Sequence, residues 1–150
     1  MEIKSNKQYH PRMHSAEHIL NQTMVRMFNC GRSFTNHIEK KKSKCDYHFK
    51  RDLNQSEIEE IVNRVNEVIK RNLDVLEEFY TREEAREKFN LSKLPDNAGD
   101  RIRVIKVGDY DTCPCSGLHV KRTNEIGTFK IISTSFNEEI LRIRFKLLED

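Results

Sequence analysis

His14-Ser15-Ala16-Glu17-His18 sets two imidazoles four residues apart, and Cys115-Ser116-Gly117-Leu118-His119 sets a thiol and an imidazole at the same spacing. Four residues is about one helical turn, so the first two rings project from one helix face, about 6 Å apart along its axis. Imidazoles held that way can chelate one ion. Zinc takes four N/S ligands at about 2.0–2.3 Å, and a second pair elsewhere in the fold would complete the set. Either pair alone is a weak signal. Together, His14, His18, Cys115 and His119 make a Zn2+ site the leading expectation. Three neutral imidazoles and one thiolate leave such a site a net charge of about +1, able to polarise a carbonyl or to hold an amine or hydroxyl. Cys113, separated from Cys115 by Pro114, is a small buried thiol, a spare ligand or a reactive thiol beside the metal.

The first motif also matches H-x-x-E-H, the inverzincin peptidase signature, in which Glu17 would activate a zinc-bound water. That reading needs an acidic third ligand downstream, such as Glu78, Glu83 or Glu84. It leaves Cys115 and His119 unexplained, and 150 residues is short for a peptidase with a substrate cleft. It ranks last. His10, His37 and His48 read as structural or exposed.

The elements that position these residues can be traced along the chain. Pro11 suits the first turn of a helix over His10–Asn29, with Ala16, Leu20, Thr23, Met24 and Met27 as its buried stripe and Gly31 as its C-terminal stop. His14 and His18 lie on or beside that stripe. Phe34–Ile38 and Cys45–Phe49 read as short strands joined by the lysine-rich turn Lys40-Lys41-Lys42-Ser43-Lys44. Asn54 or Ser56 caps a second helix, whose Ile58, Ile61, Val62, Val65 and Ile69 keep helical spacing up to Asn72. Val75–Tyr80 is a strand, Thr81 with Glu84 starts a short third helix to about Asn90, and Leu91–Gly99 is a loop. Strands over 101–107, 127–135 and 140–147 finish the chain. The sum is a one-domain α+β fold spanning 1–150, with an antiparallel or mixed sheet covered by two long helices. A shared zinc would tie the first helix to the sheet.

Bulk properties narrow the class. The chain is 36% hydrophobic and 34% charged, with a mean hydropathy of −0.78, which fits a soluble globular domain. No apolar run approaches the roughly 18 residues of a membrane span. Met1–Lys7 lacks the apolar core of a secretory signal, and the Cys113/Cys115/His119 grouping favours a metal or reactive thiol over disulfides, so the protein reads as cytoplasmic. The net charge of +3 fits contact with a polyanion. Besides the lysine turn, Arg101/Arg103/Lys106, Lys121-Arg122 and Arg142/Arg144/Lys146 form smaller basic clusters, a rim suited to a phosphate backbone.

The flanks of the second motif carry a resemblance. Cys115-Ser-Gly-Leu-His119-Val-Lys-Arg-Thr-Asn-Glu-Ile-Gly127-Thr-Phe-Lys130-Ile resembles the C-G-G-T-H-V-x-x-T-x-x-I-G-x-F-K-I signature of the alanyl-tRNA synthetase editing domain. His14-Ser-Ala-Glu-His18-Ile-Leu20 resembles that family's H-S/T-A-x-H-L-L, and Val65-Asn66-Glu67-Val68-Ile69 with Asn72 resembles the V-N-x-x-I-x-x-N helix between the motifs. The threonyl-tRNA synthetase editing domain shares both metal-type pairs but less of the flanks. With no synthetase catalytic domain in the sequence, the chain resembles the short form of the freestanding AlaX-type trans-editing proteins. The resemblance implies a zinc-dependent deacylase that removes a wrong amino acid, typically serine or glycine, from the acceptor end of tRNA(Ala), with zinc on His14, His18, Cys115 and His119. A zinc-stabilised tRNA-binding module without hydrolysis is the alternative. Ser116 and Gly117, whose amides are placed to stabilise an ester oxyanion, and Thr35 and Asp46 are candidates for lining the substrate pocket. No protein general base is assigned. Two positions depart from the family pattern: Leu118 replaces its threonine and Ser116 its first glycine, which bears on amino-acid specificity.

Overall fold

Pro11 opens α1 (Pro11–Phe28) at a position whose N–H would have no helical partner. Met13, Ala16, Ile19, Leu20 and Met24 are buried along it, and so are the polar His14, Ser15, Glu17, His18, Asn21 and Thr23. A helix this enclosed must satisfy its polar groups inside the protein. It ends at Asn29, in the left-handed conformation (φ 54°), whose N–H returns to the Val25 carbonyl. Asn29 therefore performs the stop expected of Gly31, because a short polar side chain tolerates that conformation.

The computed structural model describes residues 10–89 and 101–148. The loop expected at 91–99, the end of the third helix at Asn90 and the N-terminal segment expected to lack a signal lie outside them. After α1 come β1 (Thr35–His37), β2 (Ser43–His48), α2 (Gln55–Lys70), β3 (Val75–Thr81), α3 (Arg82–Lys88), β4 (Arg101–Val107), β5 (Asp111–Pro114), a 3-10 turn (Thr123–Glu125), β6 (Thr128–Asn137) and β7 (Ile140–Leu148). The α+β class is as expected. The strands divide into two antiparallel sheets, one ordered β1-β2-β7-β6 and the other β3-β4-β5. Sequence patterning fixes strands but not which of them pair, so the division was not foreseen. Among the described residues, no helix is long and apolar enough to cross a membrane.

One core lies between the helices α1 and α2 and the inner face of the four-stranded sheet, where Tyr47, Leu141, Ile143, Phe145 and Phe129 are fully enclosed. Asn66 of α2 makes a two-way bond with the Phe129 backbone, donating to its carbonyl at 3.0 Å and accepting its N–H at 2.8 Å, which locks α2 onto β6. The Thr123 hydroxyl donates to the last carbonyls of α2 (Val68 and Ile69) and accepts the Leu73 N–H. A smaller cluster of Ala85, Ile102 and Val104 packs α3 on the second sheet. Its one side-chain cap is Thr81, paired reciprocally with Glu84 as expected.

Asn54 proves to be the cap of α2. Its side chain accepts the Glu57 N–H at 2.8 Å, and Glu57 accepts the Asn54 N–H at 3.0 Å. Arg51 grips both Glu57 oxygens at 2.8 Å, and with the Asn54 N–H holds that carboxyl down to about 2. Two outcomes follow for this cap. Asn54→Ala should lower stability by about 1 kcal/mol in a urea titration with an unchanged slope. Because the folded pKa of Glu57 lies below its ordinary 4.5, its stabilisation is complete above pH 4.5 and is lost as pH falls towards 2. Glu57→Gln should flatten that part of the acid titration.

Candidate metal centre

α1 presents His14 and His18 one turn apart, both buried. The opposite wall is β5 and the loop that follows. Along an extended strand, alternate residues share a face, so Asp111, Cys113 and Cys115 line up towards one side. Asp111 and Cys115 both reach α1, the first through His18 and the second through His14, with Cys115 Sγ 3.1 Å from His14 Nε2. His119, four residues on, stacks against His14 with ring centroids 4.2 Å apart and meets His18 edge-on at 4.6 Å. One ligand atom from each of His14, His18, Cys115 and His119 lies within 4.8 Å of all the others. The two sequence motifs, about a hundred positions apart, thus form a single cluster.

Each imidazole is oriented from behind. His14 Nδ1 lies 3.2 Å from the Leu118 carbonyl, His18 Nδ1 lies 3.2 Å from Asp111 Oδ2, and His119 Nδ1 lies 3.1 Å from Ser15 Oγ. With Nδ1 so engaged, Nε2 of every ring is the atom turned to the common centre, the usual arrangement of metal-bound histidines. The Ser15 hydroxyl also accepts the Val120 N–H, so one helical serine positions both His119 and its loop. Leu118 contributes its carbonyl, while its side chain is 54% exposed. The departure from threonine therefore leaves the support of His14 intact. The donor set of three imidazole nitrogens and one sulfur fits a divalent, borderline-soft ion.

Behind His18 stands a buried charge relay that the motifs did not reveal. Arg32 forks onto both oxygens of Asp111 at 2.7 and 3.2 Å, and Gln22 donates to Oδ1 at 2.9 Å. Burial alone would raise the Asp111 pKa. The His18 hydrogen bond and the Arg32 charge reverse this and hold it well below the ordinary carboxylate range. Burial alone would also discharge His18, but Asp111 and then Cys115 outweigh it and lift its pKa to about 9. Arg32 stays charged against burial for the same reason, since Asp111 faces it. The available signal was the alternation of Asp111 with Cys113 and Cys115.

The remaining candidates separate clearly. Cys113 stands outside the four-residue cluster, and its thiol is directed at the Pro114 carbonyl. Burial pushes it up to about 11 despite Arg32, so it stays protonated at neutral pH. None of the four cysteines is in a disulfide. The Gly117 N–H is directed at Cys115 Sγ (3.4 Å), and Arg103 clasps the carbonyls of Cys115 and Gly117 at 3.1 and 2.7 Å, which fixes the turn and leaves the exposed Ser116 at its tip. Thr35 and Asp46 are brought to each other and not to the cluster. Thr35 donates to Asp46 at 2.9 Å, and Arg142 grips Asp46 with two bonds across the four-stranded sheet. His37 pairs with Glu39 at the surface, His48 stacks on Phe34, and His10 precedes α1 without capping it. The acids that a peptidase would need are occupied elsewhere: Glu78 pairs with Lys106, and Glu84 caps α3. Glu83 is exposed in the first turn of α3, and none of the three joins the cluster. Glu17 is buried with one carboxylate oxygen 3.6 Å from His14 Nε2.

Removing an outer support should loosen the ligand it holds. Asp111→Asn and Ser15→Ala should each weaken metal binding by about 10–100-fold, measured by competition with a chromogenic chelator. Cys113→Ser should leave both affinity and stoichiometry unchanged.

Comparison with known proteins agrees with this geometry. Residues 102–144 match the threonyl and alanyl tRNA synthetase second additional domain, a stretch that carries Cys115 and His119. The alanine–tRNA ligase of a Thermoanaerobacter species is 34% identical over 131 residues, and those of Coxiella burnetii and Fervidobacterium nodosum are 35% identical over 127 and 125 residues. Each alignment covers 83% of this chain and 14% of the relative. The chain thus spans about one seventh of the length of the curated relatives it matches, and the aligned part reaches well beyond the second motif. The chain is thus related to alanyl-tRNA synthetases, and its residues 102–144 to the threonyl and alanyl tRNA synthetase second additional domain.

Proposed function

We propose that this chain hydrolyses the ester of a mischarged aminoacyl-tRNA, with Ser-tRNA(Ala) and Gly-tRNA(Ala) as its substrates, and that it works in the cytoplasm with Zn2+ held by His14, His18, Cys115 and His119. The observation that carries this reading is the cluster of three imidazoles and one cysteine sulfur in a chain related to alanine–tRNA ligases. Bound zinc would supply a Lewis acid of net charge about +1, already four-coordinate and so suited to positioning and polarising substrate more than to generating hydroxide.

The chain's own groups suggest how the substrate is read. Glu17, with a carboxylate oxygen 3.6 Å from His14 Nε2, complements the α-ammonium that every aminoacyl ester carries. The Ser116 amide, at the exposed turn after Cys115, is the remaining donor for the ester oxygen once the Gly117 N–H is committed to the thiolate. Arg103 keeps that turn in place. Discrimination by polar contact suits the problem. One methylene is worth only about 1–3 kcal/mol, whereas a hydroxyl read by a polar site separates serine from alanine far better.

The test is a deacylation time course on Ser-, Gly- and Ala-tRNA(Ala) and on Ser-tRNA(Thr), with metal-loaded wild type and the His14→Ala/His18→Ala variant. Serine and glycine should leave tRNA(Ala), alanine should stay, and the variant should not exceed the uncatalysed rate. Serine loss from tRNA(Thr) alone would assign the threonyl branch. Survival of every ester with metal bound would refute hydrolysis and leave a tRNA-binding module. Glu17→Gln should raise KM for the aminoacyl ester more than it lowers kcat, with metal stoichiometry retained.

A further inference from the structure

The basic clusters of this chain differ in what neutralises them. On the three-stranded sheet, Arg103 pairs with Glu77 at 2.6 Å and Lys106 with Glu78 at 3.5 Å, and Arg101 lies over the Phe79 ring. Arg122 pairs with Asp74 at 2.8 Å. The outer face of the four-stranded sheet is built otherwise. One row across it, Thr35–Asp46–Arg142–Ser135, is balanced by the Asp46–Arg142 pair. The next row sets Lys44 directly opposite Arg144, and beyond it Lys130 sits directly opposite Lys146. None of these four cations forms a salt bridge with any described residue; Arg144 rests only on the hydroxyls of Ser133 and Ser135. Like charges directly opposite on a sheet are destabilising. The protein alone gives no reason to place two such pairs side by side.

At one end of the sheet the lysine turn leads from this face to a cleft at the start of α1. Lys40 and Lys41, in the turn leading into β2, line a cleft of about 860 Å3 together with His10, Pro11, Arg12, Met13 and Leu147, which packs on the core side of β7, the face opposite Lys146. This cleft opens at the start of α1, one turn before His14, whose N–H bonds the His10 carbonyl. The lysine turn is thus shared by the basic rows, through Lys44, and by the cleft, through Lys40 and Lys41, and joins the outer face to the start of α1 around the end of the sheet. Its cations stand about 5 Å apart across strands and about 7 Å apart along them. A chain of regularly spaced monoanions matches that ladder, whereas a single small anion would leave most of it uncompensated.

The geometry points to the outer face of the four-stranded sheet, through Lys44, Arg144, Lys130 and Lys146 and on to the Lys40/Lys41 cleft, as the docking surface for an RNA phosphate backbone. This inference rests on the tRNA reading above and adds where the RNA body lies: across the sheet, with its end entering beside α1. Contacts of this kind position the nucleic acid without reading its sequence.

Binding of an uncharged tRNA(Ala) transcript, followed by fluorescence anisotropy across a salt series, tests it without depending on hydrolysis. Lys44→Gln/Arg144→Gln and Lys130→Gln/Lys146→Gln should each lower affinity about tenfold and reduce the slope of log K against log salt by about 1–2. The melting temperature should stay or rise, because each variant removes a like-charge pair. Lys70→Gln/Arg71→Gln, at the far end of α2, should change neither affinity nor slope. Unchanged affinity and slope in both sheet variants would overturn the surface, even if deacylation proceeds. A reduced slope with every ester intact would keep the surface and remove the deacylase reading. Binding to phosphatidylserine vesicles with no binding to the transcript would assign the face to a membrane and overturn the proposal.

Discussion

The tie between α1 and the loop after β5 is the interaction on which the rest of this molecule depends. Three imidazoles and a thiol meet within 4.8 Å, and the residues that orient them come from both sides of that junction. Ser15 on the helix holds His119 of the loop, and the Leu118 carbonyl of the loop holds His14 of the helix. Neither element orients its own histidines. Docking the helix and aligning the ligands are therefore one event, and a metal bound there would add its binding energy to folding.

The second constraint is electrostatic. Asp111 is a carboxylate only 2% exposed, and a buried charge is tolerated only with partners. His18, Gln22 and Arg32 supply them. Arg32 follows α1 and Asp111 opens β5, so the pair draws the segment after the helix onto the second sheet. This also explains why α1 carries so much buried polarity. Its polar face is occupied by Asp111, Ser33 and Tyr47: Asn21 accepts the Ser33 N–H and the Tyr47 hydroxyl at 2.9 and 2.8 Å.

Much of this was legible in the sequence because it is local. The spacing of His14 and His18 gives a helix face, Ile58, Ile61, Val62, Val65 and Ile69 give the apolar stripe of α2, to which the structure adds the buried Val68, and Asn54 with Glu57 gives its cap. The four cluster residues could be grouped because each pair has metal-ligand types at metal-ligand spacing. What was not legible is non-local. Nothing near Arg32 indicates that its partner is Asp111, 79 residues on. The division of the strands into two sheets depends on pairings such as β2 with β7, which no period within either strand encodes. Thr35 and Asp46 were singled out for a pocket, yet they belong to a cross-strand row with Arg142. Only the register between strands shows it. The same register shows that Lys44 opposes Arg144, which brings two unremarkable basic clusters onto one face.

The most direct test of the shared centre is the zinc absorption-edge fine structure of the metal-loaded protein. Ligation by His14, His18, Cys115 and His119 predicts a shell of three nitrogens at about 2.0–2.1 Å and one sulfur at about 2.3 Å, with the outer scattering of imidazole rings. A shell with two sulfurs would place Cys113 on the metal, and one with no sulfur would detach the second motif. Either result would contradict ligation by His14, His18, Cys115 and His119 together.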